Sequence, residues 1–135
     1  MNVQILTLFL VVGITFLASC SNDNNSPSPE QLIDGTWYLT NVSGGLASIS
    51  VDYQRGDIKW IFNQTNNSLT VENYLGNDDG FMLNSGVYDY SIEQKSETQI
   101  IFVDEDDYRM VILSMGNNLI ITDDLNDGFT AEFKR

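Results

Sequence analysis

Histidine is absent from this 135-residue chain, and cysteine occurs only once. Without histidine, triads and dyads that use an imidazole base are excluded, and so are the common histidine zinc sites. One cysteine cannot form an internal disulfide, so the core alone must stabilise a folded domain. A glycosidase needs two facing acids roughly 5–9 Å apart, and nothing in the sequence pairs any two of them. We therefore expect a non-enzymatic protein without a cofactor or a metal.

Basic residues are scarce as well. Six lysines and arginines stand against 19 aspartates and glutamates, which gives a formal net charge of −13 at pH 7. The resulting field repels nucleic acid and anionic lipid headgroups. We expect no nucleic-acid partner, and we expect contact with a membrane only through a covalently attached lipid.

The long apolar run of the chain covers residues 5–17. It has the length of a signal-peptide core and falls short of the roughly 20 residues that cross a bilayer as a helix. The run ends in Leu17-Ala18-Ser19-Cys20, which resembles the lipobox of bacterial lipoproteins. The resemblance implies that residues 1–19 are a signal peptide, cut before Cys20, and that the Cys20 sulfur carries a diacylglyceryl group.

Acyl chains of this kind hold a protein firmly on a membrane. Ser21 follows the cysteine, where an aspartate would direct the protein to the inner membrane by analogy with known sorting rules. We therefore expect lipid anchoring at the outer membrane. Two alternatives stay open, an export signal without lipid and a buried core segment with a chance cysteine.

The mature chain reads as a tether followed by one domain. Residues 20–31 begin with the lipidated cysteine and continue as a polar, flexible tether. Ser28 and Pro29 favour a short helix that starts there and ends at Gly35, with Gln31 completing a capping box. Residues 32–135 are long enough for one β-barrel domain.

Period-two alternation and β-forming residues predict about eight strands, at 36–43, 57–63, 68–74, 86–93, 98–103, 108–114, 119–123 and 129–134. The linking loops are mostly short, which favours sequential antiparallel pairing, and eight such strands can close into an up-and-down barrel. Alternation also predicts the side chains that face inward: Trp37, Leu39, Ile58, Trp60, Phe62, Leu69, Val71, Tyr88, Tyr90, Ile92, Ile100, Phe102, Met110, Ile112, Leu119, Ile121, Phe129, Ala131 and Phe133. Strands 98–103 and 108–114 are apolar on both faces, so a loop or a partner is expected to cover their outer side.

A short helix followed by Gly35-Thr36-Trp37 resembles the start of a lipocalin. In that family the tryptophan plugs the closed end of the barrel and an arginine from the last strand lies across it, a role that the resemblance gives to Arg135. The segment 86–90 is similar to small bacterial lipoproteins that carry a lipocalin-like domain. The resemblance implies an eight-stranded barrel over residues 32–135 that binds a small apolar or amphipathic ligand.

Two interpretations of the interior remain open. The many inward apolar side chains favour a filled barrel. The alternative is a small aromatic pocket near Trp60, Tyr88 and Tyr90. Phe81, Met82 and Leu83, in one mouth loop, are then a lid or a contact patch, or they simply cover the barrel opening.

In an up-and-down barrel, alternate loops lie at alternate ends. The loops at 44–56, 75–85, 104–107 and 124–128 then share one end, here called the mouth, and the helix and both termini lie at the other, the closed end. The mouth loops contain nine acids: Asp52, Asp78, Asp79, Asp104, Glu105, Asp106, Asp107, Asp124 and Asp127. The loops of the closed end contain Glu97, with Lys95 nearby. Acids are common in solvent-exposed turns, which is the simple explanation. The alternatives are a Ca²⁺ site and a surface that attracts a cationic ligand or a basic protein partner. We expect a monomer.

Overall fold

The structure is a computed structural model, and it describes residues 32–76, 83–104, 108–123 and 127–135. The expectations for the signal peptide, Cys20, the tether, Phe81 and Met82 lie outside these residues. Leu32 and Ile33, where the description begins, have helical backbone and Asp34 does not; the part of the expected helix before Leu32 lies outside the described residues.

Strands make up most of the described chain, and each runs antiparallel to its neighbours. Their bounds are β1 Gly35–Gly44, β2 Ile49–Asp52, β3 Ile58–Asn63, β4 Ser68–Asn73, β5 Gly86–Lys95, β6 Thr98–Val103, β7 Tyr108–Met115, β8 Asn118–Thr122 and β9 Phe129–Lys134.

The sheet closes on itself because β1 pairs with β9 as well as with β3. The remaining strands pair in chain order, so β1 and β3 to β9 form a closed, eight-stranded antiparallel barrel. Each of these strands is therefore paired on both sides over at least part of its length. The prediction of such a barrel is confirmed, with strand bounds that differ from the expected ones by two residues or fewer.

β2 was not expected, because residues 44–56 were predicted to be a loop. It pairs with β1 from Asn41 to Gly44, on the edge whose other half pairs with β3. Residues 54–57 fold outwards between the two strands in a turn, in which the Asp57 amide donates to the Gln54 carbonyl. β2 and β3 therefore act as one interrupted barrel strand, and the part formed by β2 extends the wall at the mouth.

The tight β1–β2 turn depends on glycine. Gly44 has a φ of +127°, in a region that other residues rarely adopt. A Cβ at this position would also collide with the carbonyl oxygen of Gly128. The first turn of the barrel thus packs directly against the chain that leads into β9.

The core consists of the inward side chains of every barrel strand, as alternation predicts. One strand was assigned the wrong face: Ile101 and Val103 of β6 belong to the core, whereas Ile100 and Phe102 face outward. The pairings with Ile92 and Tyr90 fix this orientation, because directly opposed residues point to the same side. The run Ile100–Val103 is apolar throughout, so its own pattern carries no information on orientation.

Candidate functional site

Trp60 and Tyr90, two of the predicted ligand-binding residues, lie inside the barrel. Trp60 is fully buried and Tyr90 is 5% exposed. The ring of Trp60 packs on Phe133 with centroids 4.9 Å apart, and that of Tyr90 packs edge-on against Phe62 at 5.0 Å. Phe62 also contacts Trp60, at 6.1 Å. Among these aromatic contacts, Trp60 and Tyr90 are core residues.

Tyr88, the third predicted residue, lies at the mouth and is half-buried. Its ring lies against Gly86, where an added Cβ would approach the ring to 3.3 Å. Its hydroxyl donates a hydrogen bond to the carbonyl of Asn84, at 2.8 Å. Tyr88 therefore packs against the edge of the core and lies beside the chain that enters β5.

Leu83 covers part of the mouth and is only 3% exposed. It belongs to the same hydrophobic cluster as Trp60 and Tyr90, although it precedes β5 in the connection from β4. Its carbonyl accepts a hydrogen bond from Asn73 Nδ2, at 3.2 Å. Leu83 was expected, with Phe81 and Met82, to form a lid or a contact patch or simply to cover the barrel opening, and its burial in the core cluster agrees with a cover of the opening.

Asn73 holds both ends of the β4–β5 connection. Its Oδ1 accepts hydrogen bonds from the amides of Leu75 and Gly76, at 3.0 and 3.1 Å. The Ser85 hydroxyl accepts a hydrogen bond from the Asn73 amide, at 2.8 Å, and donates one to the Asn73 carbonyl, at 3.0 Å. A buried polar side chain with this many partners fixes local geometry, so the connection enters and leaves the mouth at defined positions.

The β1–β2 hairpin forms an apolar lip on the mouth. Val51 and Ile49 pair with Val42 and Gly44, so they face the same side as Val42, which is buried in the core. Above the barrel, however, Ile49 is 43% and Val51 42% exposed, and Leu46 in the turn is 89% exposed. Clustered exposed apolar side chains of this kind mark binding surfaces. We call Leu46, Ile49 and Val51 the lip.

The lip continues into the barrel opening. Tyr53, which follows β2, packs partly buried against the core, as do Tyr88, Tyr108 and Phe129 on other strands. Sequence reasoning missed Ile49 and Val51, although Ile49, Val51 and Tyr53 alternate as in a strand. Because residues 44–56 were predicted to be one loop, this strand-like alternation was not recognised.

The closed end holds the three residues that were compared with lipocalins. Trp37 Nε1 donates a hydrogen bond to the carbonyl of Ile33, at 2.6 Å. The Arg135 guanidinium lies over the Trp37 ring, 4.3 Å from its centroid, and donates to the carbonyls of Leu32 and Asp34. Gly35 turns the chain into β1 with a φ of +106°. These contacts join the start and the end of the described chain across this end of the barrel.

A depression with a volume of about 250 Å³ lies at the closed end. Leu32, Ile112 and Met115 give it apolar walls, and Gln94, Glu97 and Gln99 give it polar ones. It lies at the opposite end of the barrel from the lip. Ligand binding in the depression can therefore be distinguished by experiment from ligand binding at the lip.

Charge at the mouth is negative among the described residues. Asp52, Asp104 and Asp127 are exposed there. The other acids predicted for the mouth lie outside the described residues. Within the residues that the structure describes, no group of three acids is placed to hold a metal ion.

An ion pair on the outer wall joins β3 to β4. A hydrogen bond from Lys59 lowers the pKa of Glu72, and the Tyr74 hydroxyl, 3.1 Å away, lowers it further. The same bond to Glu72 raises the pKa of Lys59. Both side chains are partly exposed, and Lys59 alternates with the buried Ile58 and Trp60, so the pair lies on the outer face of the sheet.

Comparison with protein-family models, with curated proteins and with solved structures gave no match to this chain. Among the described residues, no helix is both long and apolar enough to span a membrane.

Proposed function

We propose that the chain is an outer-membrane lipoprotein, anchored through Cys20, whose lipocalin-like barrel binds a small apolar or amphipathic ligand at the mouth without catalysing a reaction. Residues 1–19 are its signal peptide and residues 20–31 its tether. The closed end is tied to the N-terminal side of the domain through Arg135 and Leu32, so the mouth points away from the anchor.

The lip carries this proposal. Ile49 and Val51 face the inner side of the barrel wall, yet a large part of each side chain stays in contact with solvent. Covering them with a ligand would remove apolar surface from water, which is favourable by roughly 25 cal/mol per Å². Tyr53 and Tyr88 at the same opening each combine an apolar ring with a polar hydroxyl, which suits an amphipathic guest.

A dye titration tests this site. Nile red, a neutral apolar fluorophore, should bind the whole protein, and Val51→Ser should weaken its binding several-fold. The matched control is Val87→Ser, since Val87 is 72% exposed and pairs with Thr70 on the outer face. An equal effect of both substitutions, or no dye binding, would contradict the proposal. Native mass spectrometry should also detect a co-purified guest.

The anchor needs a separate test. Cells fed radiolabelled palmitate should label the wild-type protein, and Cys20→Ala should abolish both the label and recovery in the outer-membrane fraction. Ser21→Ala should leave both unchanged. Labelling that survives in Cys20→Ala would contradict lipidation at this residue.

A second function is favoured by the charge of the mouth. Asp52, Asp104 and Asp127 are exposed there, and the whole chain carries a net charge of −13. A basic protein would be attracted to this surface, and its binding would weaken with salt. Binding that does not change between low and high salt would exclude this function.

A further inference from the structure

β2 is the terminal strand of the sheet and lies at the mouth. It has one strand neighbour, β1, in the part of the chain that the structure describes. All four of its residues are exposed. Its second edge is therefore a candidate for pairing with another strand.

The register of the hairpin identifies the backbone groups on that edge. The Tyr53 amide donates to the Thr40 carbonyl, at 2.9 Å, so the pair Thr40–Tyr53 is hydrogen-bonded. Hydrogen-bonded pairs recur every second residue in an antiparallel ladder, which gives Val51 and Ile49 the same role. The amides and carbonyls of Ser50 and Asp52 consequently point away from β1, towards the second edge.

The hairpin presents this edge in a fixed shape. Asn41 Nδ2 donates to the Ser50 hydroxyl at 3.0 Å and to an Asp52 carboxylate oxygen at 2.8 Å. Both bonds tie β2 to β1 on the outer face. A strand that pairs with β2 therefore meets an already ordered partner, which lowers the entropic cost of binding.

We propose that the second edge of β2 accepts an extended, basic segment of a partner protein as an additional antiparallel strand. Backbone groups of Ser50 and Asp52 supply the ladder, and the exposed Ile49 and Val51 take apolar side chains at alternate positions of the segment. This inference rests on the proposed binding of a basic protein at the mouth, and it specifies how that protein would bind.

The negative charge near β2 favours a basic segment over a second copy of this chain as the added strand. Asp52 lies on the edge itself, and Asp104 and Asp127 are exposed at the same end of the barrel. Two copies would each bring a net charge of −13 to the contact. Lysine or arginine at the outward positions of the segment pairs favourably with these acids, whereas like charges repel.

The test uses the whole protein, purified in detergent, and a blocked nine-residue peptide that alternates lysine with valine. Its counterpart has glutamate in place of lysine. Ser50→Pro removes the outward amide without disturbing the ladder to β1. Ser50→Ala is the matched control, because it also loses the Asn41 bond but keeps the amide.

We expect the lysine peptide to bind wild-type protein and Ser50→Ala within threefold of each other, and Ser50→Pro at least tenfold more weakly. The glutamate peptide should not bind. In hydrogen exchange, the Ser50 and Asp52 amides should exchange rapidly in the free protein and become protected by the peptide.

Three results would overturn the inference, and they are distinguishable. Equal binding of the lysine peptide to Ser50→Pro and to wild type would exclude strand addition but would still be consistent with a basic protein partner. If the lysine peptide does not bind at all, both strand addition at β2 and the attraction of a basic partner to the mouth are excluded. Slow exchange of the Ser50 and Asp52 amides in the free protein would show that the edge is already occupied, by the chain itself or by a second copy.

Discussion

The guanidinium of Arg135 lies 4.3 Å from the centroid of the Trp37 ring and hydrogen-bonds the carbonyls of Leu32 and Asp34. One side chain thus covers the buried Trp37 and joins Arg135 to the first described residues. Arg135→Ala removes a cation–π contact and charged hydrogen bonds, which together contribute about 2 kcal/mol to the free energy of unfolding.

Urea denaturation followed by circular dichroism measures this loss. Lys134→Ala is the control, because Lys134 makes a surface ion pair with Glu132 at 3.4 Å and is half exposed. We expect it to cost less than about 0.5 kcal/mol. Equal losses for the two variants would show that Arg135 does not hold the closed end.

The two tryptophans offer a matched comparison. Both are fully buried, but Trp37 Nε1 donates to the Ile33 carbonyl, whereas Trp60 Nε1 has no acceptor among the described residues. We expect Trp37→Phe to lower the free energy of unfolding by about 1–2 kcal/mol more than Trp60→Phe. Circular dichroism should monitor the unfolding, because tryptophan fluorescence changes in both variants. A larger loss for Trp60→Phe would contradict this ranking.

Asn73 is expected to be the most sensitive polar residue at the mouth. Asn73→Ala removes its bonds to Leu75, Gly76 and Leu83 from a buried site, which should cost about 1–3 kcal/mol. The amides of Leu75 and Gly76 should then exchange faster with solvent. Asn73→Asp keeps the acceptor for these amides but loses the donor to Leu83, so only the alanine variant should speed their exchange. Unchanged exchange in Asn73→Ala would contradict the role of this side chain.

The Lys59–Glu72 pair gives a pH-dependent contribution to stability. The fold lowers the pKa of Glu72, so its contribution is present above the unfolded pKa and is lost as pH falls through the folded pKa. The fold raises the pKa of Lys59, whose contribution is present below its unfolded pKa and is lost as pH rises through the folded one. In Lys59→Met, carbon-detected NMR titration should find the pKa of Glu72 closer to that of a free glutamate. Lys134→Met should leave it unchanged, and an unchanged value in Lys59→Met would contradict the coupling.

The barrel was predictable because its strands alternate and its turns are short. Alternation failed at Ile100–Val103, where both faces are apolar and only pairing with β5 decides the orientation. It also failed at β2, because the turn at 54–57 separates it from β3 and makes the whole segment look like one loop. Of the predicted ligand residues, Trp60 and Tyr90 are core residues packed among aromatic rings. The hydrogen bonds from the Leu75 and Gly76 amides to Asn73 are local, whereas the bond from Asn73 to Leu83 depends on the course of the β4–β5 connection, which the residue pattern does not encode.

The most direct test of ligand binding at the mouth is a map of amide chemical-shift changes in the isotope-labelled whole protein during titration with Nile red. The largest changes should fall on residues 49–53 and 83–88, next to the lip and Tyr88. Changes concentrated at Leu32, residues 94–99 and Met115 would place the ligand in the depression at the closed end and would contradict the proposed site.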